Sequence, residues 1–327
     1  MRRREFVGLI SGAALASPAC PAAQQSSRIW RIGHVLVATP AQAAILTKTL
    51  EQRLADVGYV QGRNIDLLTR IPGPQPNRVE DAIVSLAAQI DLLVVWGTVG
   101  GVAAKKVGLD VPTVFLSVGA PVEVGLVQSL PHPGGNMTGI TFEGSTETYG
   151  KRLQLLKEIM PGLEHVAVLA AAGDVNVGFA MSSFDRVAPQ MGITLTPVYI
   201  KSGADLEGAF ARMKENQAEA LIVIAGALMY SIGAQIADLA LAAHLPSCHG
   251  FKETAMAGGL ISLGPDLVAM AGPAAAQIDR IIKGTRPADI PVEQPTRYEM
   301  YVNLKTAGLL NLTMPPSRLA RADVVIE

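Results

Sequence analysis

The sequence is poor in cysteine, in charge and in catalytic motifs. Only two of its 327 residues are cysteines, Cys20 and Cys248. Lys, Arg, Asp and Glu make up 17% of the chain and the formal net charge is −1, so no basic surface for a nucleic acid or an anionic membrane is expected. The short signatures of serine hydrolases, P-loop proteins, dinucleotide-binding proteins and zinc proteases do not occur. We therefore expect neither catalysis nor a bound cofactor.

His244, Cys248 and His249 are the candidates for a metal site. They offer three ligands where a structural zinc site takes four, and His244 is expected to close a helix. The sequence marks no base beside Cys248 that would activate its thiol as a nucleophile. We therefore predict no metal site and no catalytic residue.

Hydrophobic residues account for 49% of the chain, which also holds 32 glycines and 21 prolines. This composition is typical of a globular, turn-rich protein rather than a disordered one. A chain of this length more often forms two domains than one. No apolar run in it is long enough to span a bilayer.

The first 23 residues have the pattern of an export signal. Arginines at positions 2–4 precede an apolar stretch that runs to about Ala19, as in secretory signal peptides. The arginine pair before Phe6 indicates the twin-arginine route. We predict cleavage near Ala23 and a periplasmic location for the mature chain, and lipid attachment at Cys20 stays an open alternative. Removal of Cys20 leaves Cys248 alone, without a disulfide partner.

Strand-like and helix-like segments alternate through the rest of the chain. Leu92–Trp96 is a continuous apolar run, which fits a parallel strand covered on both faces. Ala41–Val57 has apolar residues at helical spacing and a glycine stop at Gly58. Further strands are predicted at 31–37, 64–69 and 113–116, and further helices at 77–89 and 102–108. The alternation predicts an α/β fold with a parallel, doubly wound sheet.

A similar order of elements returns after residue 163. Three landmarks recur at one offset, pairing positions 32 and 166, 58 and 192, and 112 and 246. We predict two Rossmann-like lobes joined by a multi-strand hinge, with a cleft between them. The predicted bounds are 28–143 plus about 262–288 for the first lobe and 144–261 plus about 289–304 for the second. Residues 305–327 are predicted to pack near the hinge.

Small polar residues and aromatic rings fall at the ends of the predicted strands, where open α/β sheets bind their ligands. A helix that starts after Gly97 also offers N–H groups that favour a carboxylate or phosphate. The candidate ligand-binding residues are Thr39, Thr98, Ser117, Gly119, Thr141, Phe142, Glu143, Asp174, Asn176, Tyr230, Phe251 and Glu253.

These candidates divide by chemistry. Hydroxyls and the helix start suit a carboxylate, the acidic groups suit an amine or hydroxyls, and the aromatic rings suit an apolar or aromatic body. A helix cap at Thr98 and a turn residue at Ser117 are the structural alternatives.

The sequence also resembles a known family over essentially its whole length. The matching segments are MRRREF at 1–6 with AAQQ at 22–25, LADVGYVQGRN at 54–64, GAPVEVGLV at 119–127, PGGNMTG at 133–139, GKRLQLLK at 150–157, GGLISLGPD at 258–266, PVEQPT at 291–296, NLKTA at 303–307, PP at 315–316 and LARAD at 319–323. In this combination the chain resembles the ABC-transporter substrate-binding proteins of the tryptophan-binding-protein-like group.

The resemblance implies a type I periplasmic binding protein fold, a ligand clamped between two lobes, and delivery to an ABC permease in the inner membrane. It supports Thr98, Ser117, Gly119 and the 141–143 crossover as ligand-facing. The chain departs from the family at 171–174, where Ala-Ala-Gly-Asp replaces an Asn-Pro pair that is common in relatives. An amino acid, aromatic or not, and an aromatic or organic acid without an amine are therefore both left open.

We expect an exported, monomeric solute-binding protein that closes on a small carboxylate-bearing molecule and catalyses nothing. Two alternatives stay open at this point. One is a periplasmic sensor that presents its closed form to a signalling partner, and the other is an enzyme that uses the same cleft.

Overall fold

A computed structural model describes residues 28–73, 75–143 and 147–327. The predicted signal peptide, its cleavage point and Cys20 lie outside these residues. The first half of the chain forms β1 (Trp30–Val35), α1 (Pro40–Asp56), β2 (Ile65–Arg70), α2 (Pro76–Leu86), β3 (Leu92–Trp96), α3 (Gly97–Val107), β4 (Thr113–Val118) and β5 (Met137–Thr141).

The second half repeats the alternation with additions. It forms α4 (Glu147–Ile159), β6 (His165–Ala171), α5 (Asn176–Val187), β7 (Thr194–Ile200), α6 (Leu206–Glu215), β8 (Ala220–Val223), α7 (Ala227–Ser231), α8 (Gly233–Ala242), β9 (Ser247–His249), α9 (Lys252–Met256) and β10 (Ile261–Gly264). After it come α10 (Ala271–Ile282), β11 (Glu299–Asn303), α11 (Leu304–Leu309), α12 (Pro316–Leu319) and β12 (Val324–Ile326).

The strands form two sheets with matching order. The first sheet runs β2-β1-β3-β4-β5 and is parallel throughout, and the second runs β12-β11-β10-β9-β8-β6-β7. In the second sheet only the β10–β11 pair is antiparallel. The segment β7-β6-β8-β9-β10 has the same order as the first sheet, so the predicted fold class of two Rossmann-like lobes is confirmed.

The repeat extends to the turns. Gly58 and Gly192 both end a helical segment with positive φ, at 96° and 65°, which glycine adopts at little steric cost. Pro112 accepts a hydrogen bond from the N–H of Leu93, and Pro246 accepts one from Leu221 at the equivalent place. The landmark pairs therefore have equivalent structural roles in the two lobes.

Each sheet carries helices on both faces. Apolar residues of α1 and α10 pack on one face of the first sheet and those of α2 and α3 on the other. In the second lobe α4 and α5 cover one face and α6 and α8 the other. The strands are consequently buried on both sides, as their unbroken apolar sequence predicts.

The chain passes between the lobes at three crossovers, the first between β5 and α4, the second at residues 264–271 and the third at residues 293–299. After the first crossover the second lobe is built, after the second α10 returns to pack against α1, and after the third the chain enters β11. Glu293 of the third crossover pairs with Ile140 of β5. Since β10 belongs to the second sheet, we place the return of the chain to the first lobe after Gly264 rather than near 262. The division into lobes stays our proposal.

Several elements differ from the sequence prediction. Helix α3 begins at Gly97, five residues before the predicted start, because the glycines at 100 and 101 are tolerated inside a helix packed on β3 and β4. Helices α7 and α8 follow one another closely and meet at Ile232. The C-terminal segment extends the second sheet, since β12 pairs with β11. Among the described residues no helix is both long and apolar enough to cross a membrane.

Gly139 is where β5 comes closest to β4. Its φ is 157°, and a Cβ placed on it would lie 1.9 Å from the carbonyl oxygen of Phe115. We expect Gly139→Ala to lower the free energy of unfolding by several kcal/mol, because backbone and not a flexible side chain must move. Gly135→Ala is the control, since a Cβ there meets nothing within 4 Å. Equal denaturation midpoints for the two variants would contradict this account.

Candidate functional site

The start of α3 forms the floor of the cleft on the first lobe. Trp96 ends β3, Gly97 turns the chain with φ 74°, and Thr98 is buried in the first helical turn. The Thr98 hydroxyl caps nothing within its own helix. Instead its oxygen accepts a hydrogen bond of 2.9 Å from the N–H of Gly119, which follows the neighbouring strand β4. The two strand ends predicted to lie together therefore do so.

Ser117 lies beside this contact in a strained conformation. Its φ is 59°, and Ala120, three residues further on, has φ 45°. The β4–β5 register shifts between Phe115 and Val118, so the strand bulges at the point where Ser117 turns into the cleft. Non-glycine residues with positive φ cost free energy and concentrate at ligand-binding sites.

Asn176 of the second lobe reaches across the cleft to the same place. Its amide nitrogen donates to Thr98 Oγ1 at 2.8 Å, and the Thr98 hydroxyl is 3.2 Å from Asn176 Oδ1. A Cβ on Gly119 would lie 2.4 Å from Asn176 Oδ1. Gly119 is therefore needed for the approach of the opposite lobe, and Asn176 supplies the amide that the departure at 171–174 seemed to remove.

A second bridge between the lobes comes from the cap of α1. Thr39 and Gln42 form a capping box in which each side chain accepts from the other's backbone N–H. The Gln42 amide nitrogen then donates to the carbonyl oxygen of Tyr230, in the second lobe, at 2.9 Å. Thr39, predicted to touch the ligand, is engaged in this cap. Gln42 could have been recognised from the Thr-x-x-Gln spacing, but its partner across the cleft could not.

Between these bridges and the hinge the lobes enclose a cavity of about 40 Å³. Its walls come from both lobes and from two crossovers, and none of its side chains is charged: Leu36, Val37, Leu46, Trp96, Gly97, Thr98, Ser117, Phe142, Ala225, Gly226, Ala227, Tyr230, Phe251 and Leu267. Three predicted aromatic residues are among them. Phe251 packs between the other two, with ring centroids 5.1 Å from Phe142 and 5.0 Å from Tyr230.

Trp96, which the sequence analysis did not single out, is held in place by a buried histidine. Its indole N–H donates to His34 Nε2 at 2.8 Å. Nε2 is thus the acceptor, and Nδ1 carries the proton toward Thr69 Oγ1 at 3.3 Å. Burial lowers the pKa of His34 to about 3, so the neutral form that can accept from Trp96 is the stable one. The position of Trp96 at the last residue of β3 could have marked it.

Asp174 lies on the outer side of the Thr98–Asn176 contact. Its Oδ1 accepts the N–H of Asn176 at 2.9 Å, and its Oδ2 occupies the space where a Cβ on Gly226 would be, 2.4 Å away. Burial raises the pKa of Asp174, and the Asn176 hydrogen bond opposes that shift. Among the described residues no Lys or Arg forms an ion pair with it, so its carboxyl group has no cationic partner within the chain.

Glu143 lies in the hinge and is already engaged. Its Oε1 is 2.6 Å from Arg152 Nη2 of α4, and both side chains are fully buried. Arg152 Nε also donates to the carbonyl oxygen of Leu263, in β10 just before the second crossover, at 2.7 Å. Burial raises the pKa of Glu143 while the guanidinium opposes it. Arg152 gave no signal in the sequence, because a lone charged residue in a helix usually faces solvent.

The structure thus brings part of the predicted set together. Thr98, Ser117, Gly119, Phe142, Asn176, Tyr230 and Phe251 lie at the cavity or at the contact that closes it, and Asp174 lies next to them. Thr141 is buried in β5, and Glu253 is partly buried in α9, where burial raises its pKa. Neither lines the cavity, and a ligand contact for these two, as for Thr39 and Glu143, stays a prediction.

The described residues hold no group of three or more His, Cys, Asp or Glu side chains that could bind a metal. The Cys248 thiol is fully buried, and burial raises its pKa to about 12, so it is not a thiolate at neutral pH. His249 is buried beside it with Nε2 2.9 Å from Ser247 Oγ. Of the three residues considered for metal chemistry, Cys248 and His249 are buried in the second lobe, whereas His244 is exposed after the end of α8.

Comparison with known families now decides the assignment. The family model described as "ABC transporter substrate binding protein" matches residues 34–326. The chain belongs to this family. A curated relative, the tyrosine-binding protein of Clostridioides difficile, is 24% identical over 260 residues, which are 79% of this chain and 74% of the relative.

Solved structures share the fold. A conserved domain protein from Vibrio cholerae has a TM-score of 0.85 at 22% identity and covers 91% of this chain and 100% of its own. An ABC domain from Streptococcus pneumonia, solved in complex with L-Trp, has a TM-score of 0.84 at 22% identity with the same coverage. A ligand-free, open substrate-binding protein from Clostridium difficile has a TM-score of 0.65 at 20% identity, covering 91% and 99%.

Acid should destabilise the protein through His34 and His249. Burial lowers the pKa of each to about 3, whereas an unfolded histidine titrates near pH 6.5. Between about pH 6.5 and pH 3 the unfolded chain therefore binds more protons, and unfolding becomes easier by about 1.4 kcal/mol per pH unit for each histidine. The free energy of unfolding, measured with urea at several pH values in this window, should depend less steeply on pH in His34→Gln. It should keep the wild-type pH dependence in His132→Asn, which changes an exposed histidine. Equal pH dependence of the unfolding free energy in the two variants would contradict this role of His34.

Closure of the cleft should depend on Gly119. The Cβ of Gly119→Ala would displace the Asn176 amide from Thr98, so we expect a larger radius of gyration by small-angle X-ray scattering. Adding Asn176→Ala removes the obstructing side chain and should bring the value back toward that of the wild type. Gly162→Ala, in open surroundings, is the control. Identical scattering from Gly119→Ala and the control would show that Asn176 does not hold the lobes together.

Proposed function

We propose that this protein is the exported binding component of an ABC uptake transporter, and that it clamps a small carboxylate-bearing ligand between its lobes without changing it. The observation that carries the proposal is the meeting of Thr98, Gly119 and Asn176 from two lobes at one point of the cleft. Such a contact exists only when the lobes are together, as in hinge closure around a ligand.

The carboxylate is proposed to bind at the start of α3. The first two residues of this 11-residue helix line the cavity, and the free N–H groups of a helix start favour negative charge. The Thr98 and Ser117 hydroxyls and the Asn176 amide add neutral donors, and no acidic side chain lines this part of the cavity. An incoming carboxylate would replace the Thr98–Asn176 hydrogen bonds with stronger, charge-assisted ones.

The rest of the ligand is proposed to face the aromatic wall. Trp96, Phe142, Tyr230 and Phe251 give the cavity an apolar lining, which suits an aliphatic or aromatic body. The present volume is smaller than such a body, so binding must part the lobes slightly. Relatives described as binding tyrosine or bound to L-Trp support an aromatic amino acid, and the uncharged lining equally favours an aromatic or organic acid without an amine.

The delivery of the bound ligand is inferred from membership of the ABC substrate-binding family. We propose that the closed form is recognised by an inner-membrane ABC permease on the periplasmic side, and that the binding protein itself is a monomer. The higher TM-score to the L-Trp complex than to the open, ligand-free relative supports a closed arrangement of the lobes in this structure.

Thermal unfolding of residues 24–327 against amino acids, aromatic acids and short carboxylates tests the proposal. A ligand at 100 times its dissociation constant should add about 2.7 kcal/mol to the stability of the native state. Thr98→Val should weaken any carboxylate that binds by about tenfold or more, because hydrogen bonds to charged groups contribute about 1.5–3 kcal/mol. Thr194→Val, at an exposed site on β7, should bind as the wild type does.

Two results would contradict the proposal. One is equal affinity of the Thr98→Val and Thr194→Val proteins for the ligand that binds best. The other is turnover of a panel member, which would make the cleft an active site. A midpoint shift with aromatic amino acids would select that class, and a shift confined to acids without an amine would select the other.

A further inference from the structure

A second, larger cavity lies at the mouth of the cleft. Its volume is about 300 Å³, against about 40 Å³ for the inner one, and 300 Å³ is within the range of small-molecule sites. One wall is α3 and the start of α2 in the first lobe, and the other is the loop after β6, the end of β7 and the start of α7. The Thr98–Asn176 contact and Gly226–Ala227 separate the two cavities.

The walls of this mouth pocket are mainly apolar. They include Val99 and Val102 on the first lobe and Val175, Ile200 and Leu228 on the second. Val175 leaves 47% of its surface exposed, although it lies next to a buried contact. An apolar ligand that filled the pocket would cover surface from both lobes at once, which would stabilise closure.

The charged side chains around the pocket differ in whether they already have a partner of opposite charge. Glu80 on its rim is paired with Lys106, whose Nζ lies 2.8 Å from Oε1. Lys201 has the neighbouring Asp205 carboxylate to interact with. Asp174 has no cation partner among the described residues, and its Oδ2 is enclosed against Gly226. The carboxyl group without a cation partner is therefore at the inner end of an apolar pocket, where a cationic ligand would stabilise its charged form.

We propose that the mouth pocket is a second binding site, which takes a primary amine with a compact apolar or aromatic body. The ammonium group pairs with Asp174, and the body packs between α3 and the loop after β6. A carboxylate is disfavoured there by Asp174, just as an amine is disfavoured in the uncharged inner cavity. The cleft thus holds two sites of opposite charge preference, each with walls from both lobes.

Calorimetric titration with phenethylamine, cyclohexylamine and phenylacetate tests this site on the full mature chain. We expect both amines to bind the wild type. Asp174→Asn should lower their affinity at least tenfold, because it removes the charge while keeping an oxygen to accept from the Asn176 N–H. Val102→Phe should lower it by filling the pocket, and Gly226→Ala by displacing the carboxylate. Asp238→Asn, an exposed aspartate on α8, should bind as the wild type does.

The two proposals can fail separately. Amine binding that is lost in Asp174→Asn and kept in Thr98→Val supports the mouth site, whether or not any carboxylate binds the inner one. Absence of amine binding in the wild type, or equal binding by Asp174→Asn and Asp238→Asn, would overturn it. Amine affinity that falls as much in Thr98→Val as in Asp174→Asn would also overturn it, because the amine would then occupy the inner cavity.

Discussion

The buried pair of Glu143 and Arg152 is the contact on which the two-lobed arrangement depends. It joins the first crossover to α4, and through the carbonyl oxygen of Leu263 it also holds the end of β10 at the second crossover. Charges removed from water are stable only when their partners stay in place. The crossover segments are therefore fixed where they enter the second lobe, and a change of cleft angle must be absorbed further along them.

The third crossover is tied to the first lobe instead. Glu293 exchanges backbone hydrogen bonds with Gly139 and Thr141 of β5, and the Gln277 amide donates to carbonyl oxygens of Gly139 and Pro291. A hinge whose strands are anchored to different lobes can bend without sliding. Fewer hydrogen bonds cross the cleft than hold the crossovers. They come from Gln42 and Asn176 and lie between surfaces that also meet through aromatic rings. They can be exchanged for ligand contacts at modest cost.

The strands of the first lobe, and the small polar residues at their ends, were predictable from local sequence. Continuous apolar runs followed by glycine and threonine are a local pattern, and parallel strand order brings such ends together. This is why Thr98 and Gly119 were placed correctly relative to each other. The same reasoning about strand ends, applied to the second lobe, included Asn176 among the candidates.

What the sequence could not predict depends on contacts between distant segments. From the sequence, Glu143 is an acidic residue expected beside a cleft. Only the packing of α4 shows that it forms an ion pair with Arg152. Trp96 and Gln42 act through partners in other elements, His34 and the carbonyl oxygen of Tyr230.

The seven-stranded sheet has one further consequence, for the behaviour of the protein at high concentration. An unpaired strand edge is a template for another chain, and proteins blunt such edges with proline or with very short strands. Here β7, at one edge, carries Pro197 in its middle, where a residue without an N–H interrupts any added ladder. At the opposite edge β12 has only three residues, and Asp323 before it is held by Arg297. Both edges of the larger lobe are thereby poor sites for intermolecular strand addition.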